Sequence, residues 1–302
     1  MTIGLPKALL YYRYQVLWTT FFRELGCEVV TSPDTNQAIL AKGISSSIGE
    51  CCLPAKLFLG HVASLLGRCD RILVPRFESL EREGEFCVRL WGLPDLVRGT
   101  FSDAPLIGYD LRGRESEEAG FVRMGKALGK SAAQARQAYH LGLRDQARQD
   151  ERDRARQVQR LSFPGPKVLI VAQPYLLYDA YVGRPLVRLL EEQGGVPIFS
   201  DRCDREASRT GSRLLSSDLY WVLNREAIGA IPFMRDAVDG VLLVTAFPCG
   251  TDSLANELVL RREKQLPIAQ ILLDEQQGSA GLQTRIECFL DILYERSGVH
   301  AR

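Results

Sequence analysis

The chain has 302 residues, 46% of them apolar and 25% charged, with a formal net charge of +1. That length exceeds what one hydrophobic core usually spans, and the balanced composition excludes disorder and a basic nucleic-acid-binding character as starting points. Residues 1–6 carry no basic stretch ahead of an apolar one and no window reaches 18 apolar residues, so the chain is expected to be cytoplasmic, with no membrane partner and its eight cysteines reduced.

The opening residues Ile3-Gly-Leu-Pro6 read as a strand, followed through Leu9-Leu10-Tyr11 by an amphipathic helix to Leu25 and a stop at Gly26. A second strand, Glu28-Val-Val-Thr31, ends in Ser32-Pro-Asp34; helices near 35–41 and 54–66 and a strand at 71–75 follow. Residues 131–160 hold no proline and one glycine and are rich in Ala, Gln and Arg. They predict one helix of about 45 Å with Ser131 as its N-cap. Beyond Ala147 nearly every side chain is polar, so this half is expected to project into solvent or pack on another subunit. Its arginines alternate with Asp145, Asp150, Glu151 and Asp153, the pattern of a solvated face rather than a nucleic-acid stripe.

Phe163-Pro-Gly-Pro166 breaks the helix, and from Val168 the opening plan returns. Val168-Leu-Ile-Val171 is followed by Pro174, Leu176-Leu177-Tyr178, a helix to Gln193, Gly194, a strand at 196–199 and Ser200-Asp201. In both copies the glycine stands 15 or 16 residues after the tyrosine. A strand at 239–245, a helix at 252–264 capped by Asp252, a strand at 268–273 and a closing helix near 282–294 complete the chain. The repeat implies an α/β fold of two parallel-sheet lobes, 1–110 and 165–302, joined by a helical connector, 111–164, with the strands at Ile3 and Val168 in separate sheets.

In such sheets ligands bind beyond the carboxyl ends of strands, where helix N-termini stabilise anions. Cys249 falls there after the strand at 239–245, and Cys52 falls there in Glu50-Cys-Cys-Leu-Pro54, ahead of a helix whose first turn suits Pro54. Cys87 is a candidate third member. No C-x-x-C pair preorganises a metal site, so spacing alone also allows buried thiols acting as small apolar residues. Cys27, Cys69, Cys203 and Cys288 keep that reading. Of the three histidines, His61 reads as a packing or capping residue, whereas His140 and His300 fall in the polar helix and the tail. Asp274-Glu275 and Thr284-Arg285 form either a polar ligand site or a loop brace. No phosphate-binding loop, dinucleotide fingerprint or Gly-x-Ser-x-Gly elbow is present.

The stretches at residues 3–12 and 52–61, Leu73-Val-Pro-Arg76, Pro174-Tyr-Leu-Leu-Tyr-Asp179, Phe247-Pro-Cys-Gly-Thr-Asp-Ser253 and residues 274–285 resemble, in order, the activase-related family of 2-hydroxyacyl-CoA dehydratase component-like proteins. The resemblance implies two flavodoxin-like (Rossmann-like) lobes. Between them it implies an oxygen-sensitive iron–sulfur cluster, [4Fe–4S] or larger and built from cubanes, held by Cys52, Cys87 and Cys249. Cys51 stands open as an alternative to Cys52. A separate ATP-hydrolysing activase would deliver an electron for a low-potential reduction or the dehydration of a CoA thioester, with a homodimer or a pairing with a similar subunit. Relatives often read His-Pro-Tyr and Asp-Glu-His where this chain has Gln173-Pro-Tyr175 and Asp274-Glu-Gln276, which removes two candidate proton carriers. Two other readings compete: a non-catalytic protein that binds or assembles a cluster or CoA-type ligand, and an enzyme with Cys249 as nucleophile.

Overall fold

The computed structural model describes residues 1–80, 84–113, 115–275 and 279–297. They fall into two compact units, one within residues 1–151 with 220–222 and the other within residues 152–219 with 223–297.

The first unit runs β1 (Thr2–Leu5), α1 (Tyr11–Glu24), β2 (Glu28–Thr31), α2 (Gln37–Ser45), α3 (Leu53–Leu65) and β3 (Arg71–Leu73). Short pieces follow: β4 (Arg76–Phe77), β5 (Ser79–Leu80), β6 (Gly84–Glu85), α4 (Val88–Trp91), α5 (Leu93–Thr100), β7 (Leu106–Ile107) and β8 (Asp110–Leu111). Then come α6 (Glu117–Ala127) and the long α7 (Ala132–Arg160). The second unit continues with β9 (Lys167–Val171), α8 (Pro174–Leu177), α9 (Gly183–Glu192), β10 (Val196–Phe199), α10 (Arg205–Gly211) and α11 (Val222–Met234). It closes with β11 (Gly240–Ala246), α12 (Gly250–Arg262), β12 (Ile268–Leu273) and α13 (Ser279–Ser297).

Each unit is built on a four-stranded parallel sheet, β2-β1-β3-β7 in the first and β10-β9-β11-β12 in the second. Numbered within its own sheet, each reads 2-1-3-4, the flavodoxin-like order, so the expected two-lobed α/β class holds and the strands at Ile3 and Val168 lie in different sheets. All seven residues of β11 are buried, as expected of a parallel strand covered on both faces. Val168, Ile170, Leu242 and Val244 pack one face against Leu186, Leu190, Ile286 and Phe289. Phe21, Phe22, Leu59 and Phe121 anchor the first core; burying such a side chain contributes about 2–3 kcal/mol.

The repeat is deeper than its sequence signature. Gly26 and Gly194 both take positive φ, 74° and 83°, and close their helices through the same pair of bonds: Gly26 N–H to Arg23 O and Cys27 N–H to Phe22 O, and Gly194 N–H to Glu191 O and Gly195 N–H to Leu190 O. Asp70 and Asp239, each just ahead of its sheet's third strand, accept the N–H of the first residue of the first strand, Thr2 or Lys167, at 2.7 Å. Gly43 and Gly211 are each the seventh residue of their helix, and Gly60 and Gly229 the eighth of the next. In both units the paired helices approach so closely there that a Cβ on Gly60 would overlap the Ile39 carbonyl, and one on Gly229 the Ser208 carbonyl.

Helix α7 starts on a reciprocal cap: Gln134 N–H donates to Ser131 Oγ at 3.2 Å and Ser131 N–H to Gln134 Oε1 at 2.9 Å. Its polar half keeps one face exposed, residues 154–156, 158 and 159 among them, as expected, but the opposite face docks on the second unit, which corrects the expectation that this half projects away from the fold. Within the second unit, buried Gln157 donates to Phe199 O (3.0 Å) and accepts from Phe199 N (2.8 Å), Asp153 pairs with Arg202, and Arg160 pairs with Glu191 at 2.9 Å. Polar residues there satisfy the edge of the sheet, a role that hydrophobic periodicity does not register. The fourth strand of the first sheet also escapes the sequence because β7 contributes only two residues.

In the first unit, Glu85 N–H donates to Tyr220 O at 2.9 Å, and Trp221 forms a parallel bridge with Glu85. Gly84 makes this possible: its φ is +121°, and a Cβ would run into the Tyr220 carbonyl. Among the described residues, no helix is long and apolar enough to cross a membrane.

Candidate functional site

Three of the eight cysteines are helix N-caps: Cys52 on α3, Cys87 on α4 and Cys249 on α12. Their carbonyls start the helices, with Lys56 N–H donating to Cys52 O at 3.0 Å, Leu90 N–H to Cys87 O at 2.8 Å and Ser253 N–H to Cys249 O at 3.1 Å. Each sulfur is thus carried at the end of a helix where unpaired N–H groups favour negative charge. Proline in the first turn of α3 fixes its start, as Pro54 predicts. The helix after β11 is capped by Cys249, which corrects the assignment of that cap to Asp252; the latter lies in the first turn.

Cys87 and Cys249 hold the same station in the duplicated plan, each heading the helical stretch between the third and fourth strands of its sheet. Cys52 heads the helix before the third strand, where the second unit begins α11 after Trp221.

In the first unit the cysteines at the starts of α3 and α4 feel each other. Burial pushes the Cys52 thiol up to about 11, the neighbouring Cys51 and Cys87 push it further, and the Ala55 backbone bond and Arg89 oppose them. Cys51, fully buried, is also raised by burial, against the pull of Arg89 and Lys56. Both thiols are therefore held neutral in the chain by itself, and a soft metal would have to displace their protons. Cys52 keeps partial exposure and the N-cap station that Cys51 lacks. Arg89 and the buried Lys56 were not singled out by sequence reasoning, although Arg89 stands two residues after Cys87.

In the second unit, Cys249 Sγ lies 3.5 Å from Thr251 Oγ1 and beside Asp252, a buried carboxyl. Oδ1 of Asp252 accepts from Gln173 Nε2 at 3.0 Å and from Asn224 Nδ2 at 2.6 Å, and Oδ2 accepts from Thr245 Oγ1 at 3.4 Å. Burial raises its pKa, while these bonds and the Cys249 thiol oppose the rise. The glutamine that replaces the expected histidine at position 173 thus braces this carboxyl. Residues 276–278 and His300 lie outside the described residues, so the substitution at Gln276 has no structural account.

The remaining cysteines serve packing or exposed positions. Cys69 Sγ reaches Leu65 O at 3.5 Å, Cys203 sits against Gln157 and Phe199 O, Cys27 is buried and Cys288 is exposed. His61 is fully buried, with Nδ1 2.8 Å from Ser32 Oγ and Nε2 2.9 Å from Thr35 Oγ1, which makes it the packing histidine that its position suggests. His140, exposed on α7, faces Glu118 at 3.1 Å.

Thiols at helix N-termini, those of the first unit under the influence of the Arg89 and Lys56 charges, are the donor type that soft metals take. Among the described residues, no group of three His, Cys, Asp or Glu stands ready to hold a metal ion.

A comparison with curated proteins found no match. A family profile described as CoA enzyme activase uncharacterised domain (DUF2229) matches residues 2–202, which include Cys52 and Cys87 and extend through β10. Covering two thirds of the chain, that match shows that the chain belongs to the CoA enzyme activase uncharacterised domain family.

Proposed function

We propose that the chain is an iron–sulfur protein with Cys52, Cys87 and Cys249 as thiolate ligands, working with an ATP-hydrolysing activase in a low-potential reduction or a CoA-thioester dehydration. The observation that carries the reading is the selection of N-caps: the three cysteines implied by family resemblance are those whose sulfurs stand at helix starts. A cluster of the [4Fe–4S] type, or a larger one built from cubanes, would supply one-electron chemistry.

The chain's own residues would do the rest. Cys52 and Cys87 offer thiolates on the first unit and Cys249 on the second, while Arg89 and Lys56 offset the accumulated negative charge. With no phosphate-binding loop in the sequence, coupling to ATP hydrolysis falls to the partner. A homodimer, or a pairing with a similar subunit, would give that partner a two-fold surface.

Anaerobic purification with iron and sulfide analysis tests the reading. The wild type should be brown; Cys52→Ser, Cys87→Ser and Cys249→Ser should each lose the visible absorption, whereas Cys51→Ser and Cys203→Ser keep it. Equal iron in the wild type and Cys249→Ser refutes the ligand assignment. With the activase added, bleaching should require ATP. A coloured protein that bleaches equally fast without ATP is a cluster-binding or assembly protein, and a colourless one binds a CoA-type ligand at most.

A further inference from the structure

We infer that Asp252 is a positioning residue for Cys249, fixing the turn between β11 and α12 so that the thiol is presented in one orientation; the inference rests on the reading of Cys249 as a functional ligand. Asp252 collects its partners from four places in the second unit. Gln173 comes from the loop after β9, Asn224 from α11, Thr245 from β11 and Cys249 from the cap of its own helix.

Strands β9 and β11 are adjacent and parallel, and they are the first and third strands in a 2-1-3-4 sheet. The chain leaves them toward opposite edges of the sheet, so their carboxyl ends flank the crevice at which this architecture binds ligands. Asp252 ties the two ends together there. Its neighbours in the turn are fixed as well: Cys249 N–H donates to Ala246 O at 2.8 Å, and Ser253 Oγ donates to Cys249 O at 2.7 Å.

A buried carboxyl held by neutral amides and hydroxyls is a poor device for stability, because an apolar side chain of similar size would avoid its desolvation. Its chemistry is suited to orientation. Oδ1 takes both amides and Oδ2 takes Thr245, with the Cys249 thiol beside the carboxyl, so bracing the turn and facing the sulfur can be separated by substitution. Asp252→Asn keeps one carbonyl acceptor for Gln173 and Asn224 and replaces the other oxygen with a donor. Asp252→Ala removes both.

The test uses the full chain. In iron-free protein, maleimide labelling of each cysteine is followed by mass spectrometry, with Cys203 and Cys288 as references for general loosening. Cys249 in Asp252→Ala should label about fivefold faster than in the wild type, the change expected from a locally released turn, with Cys203 and Cys288 unchanged. In iron-loaded protein, Asp252→Asn should keep its iron but shift the electron paramagnetic resonance signal of the reduced cluster, because the group beside the ligand sulfur has changed from acceptor to donor. Cys249 labelling within about twofold of wild type in Asp252→Ala, or equal acceleration at Cys203, overturns the inference. If Asp252→Ala does not fold, an unchanged signal in Asp252→Asn overturns it instead. Wild-type protein without iron refutes the cluster reading alone, and the labelling result still decides whether Asp252 positions Cys249.

Discussion

Lowering the pH should destabilise the first unit through His61. Burial depresses its pKa from 6.5 to about 4, Lys7 adds to the depression, and Asp34 opposes it. The folded unit therefore holds a neutral ring while the unfolded chain takes up a proton. The stability this contributes is fully present above pH 6.5 and is lost as pH falls toward about 4, below which the group costs nothing further. At about 1.4 kcal/mol per pH unit the whole window amounts to about 3 kcal/mol, of which about 2 kcal/mol should be lost between pH 7 and 5. The hydrogen bonds add to this: Nδ1 lies 2.8 Å from Ser32 Oγ and Nε2 2.9 Å from Thr35 Oγ1, so a second ring proton would require the hydroxyl that donates to the neutral ring to turn and accept instead. Urea unfolding followed by tryptophan fluorescence reports the first unit, because Trp18, Trp91 and Trp221 all belong to it. Carboxylates titrate in the same range, so the quantity to compare is the pH slope of wild type against His61→Gln. Parallel slopes in the two proteins, or an imidazole that titrates above pH 6 by NMR, would refute the reasoning.

Two further substitutions test the packing. Gly60→Ala should destabilise the first unit by about 2–3 kcal/mol in chemical denaturation, since its Cβ overlaps the Ile39 carbonyl at the helix crossing, whereas Gly49→Ala, with open space around it, should change stability by less than about 0.5 kcal/mol. Gln157→Ala should cost about 2–4 kcal/mol and accelerate hydrogen exchange at the Phe199 amide, because it strips a donor and an acceptor from one backbone residue; an unchanged exchange rate there would show that water replaces the side chain.

The sheet-forming strands and the paired lobes were legible because parallel strands are written as contiguous apolar runs and because the chain repeats its plan. The glycines at 26 and 194 signalled helix ends through their conformational freedom, which is a local property. What escaped was set by contacts distant in sequence. The two-residue β7 gains its identity only beside β3, and the docking of α7 depends on Gln157 meeting a strand edge more than forty residues away. At the candidate site, Cys52 and Cys249 were readable from their places after a loop and before a helix. The N-cap station of Cys87 was hidden by the intervening short strands β4, β5 and β6, which separate it from the third strand. Asp252 was seen, but as a cap, because the sequence shows a carboxyl near a helix start without showing that Gln173 and Asn224 enclose it.

The latch at Gly84 bears on how the protein can be divided. The first unit is discontinuous in sequence: residues 220–222 complete it, although the chain on either side of them folds with the second. A gene cut in the break after α7 would yield a fragment holding every strand of the first sheet, yet missing the carbonyl that satisfies the Glu85 N–H and the residue that pairs with Glu85. Cys87 lies two residues from that exposed backbone. Such a fragment would keep its core while its cysteine loop lost its tether, so half-molecules are poor reagents for measuring what the first unit binds. A tethered peptide carrying Tyr220-Trp221-Val222 would be the minimal repair.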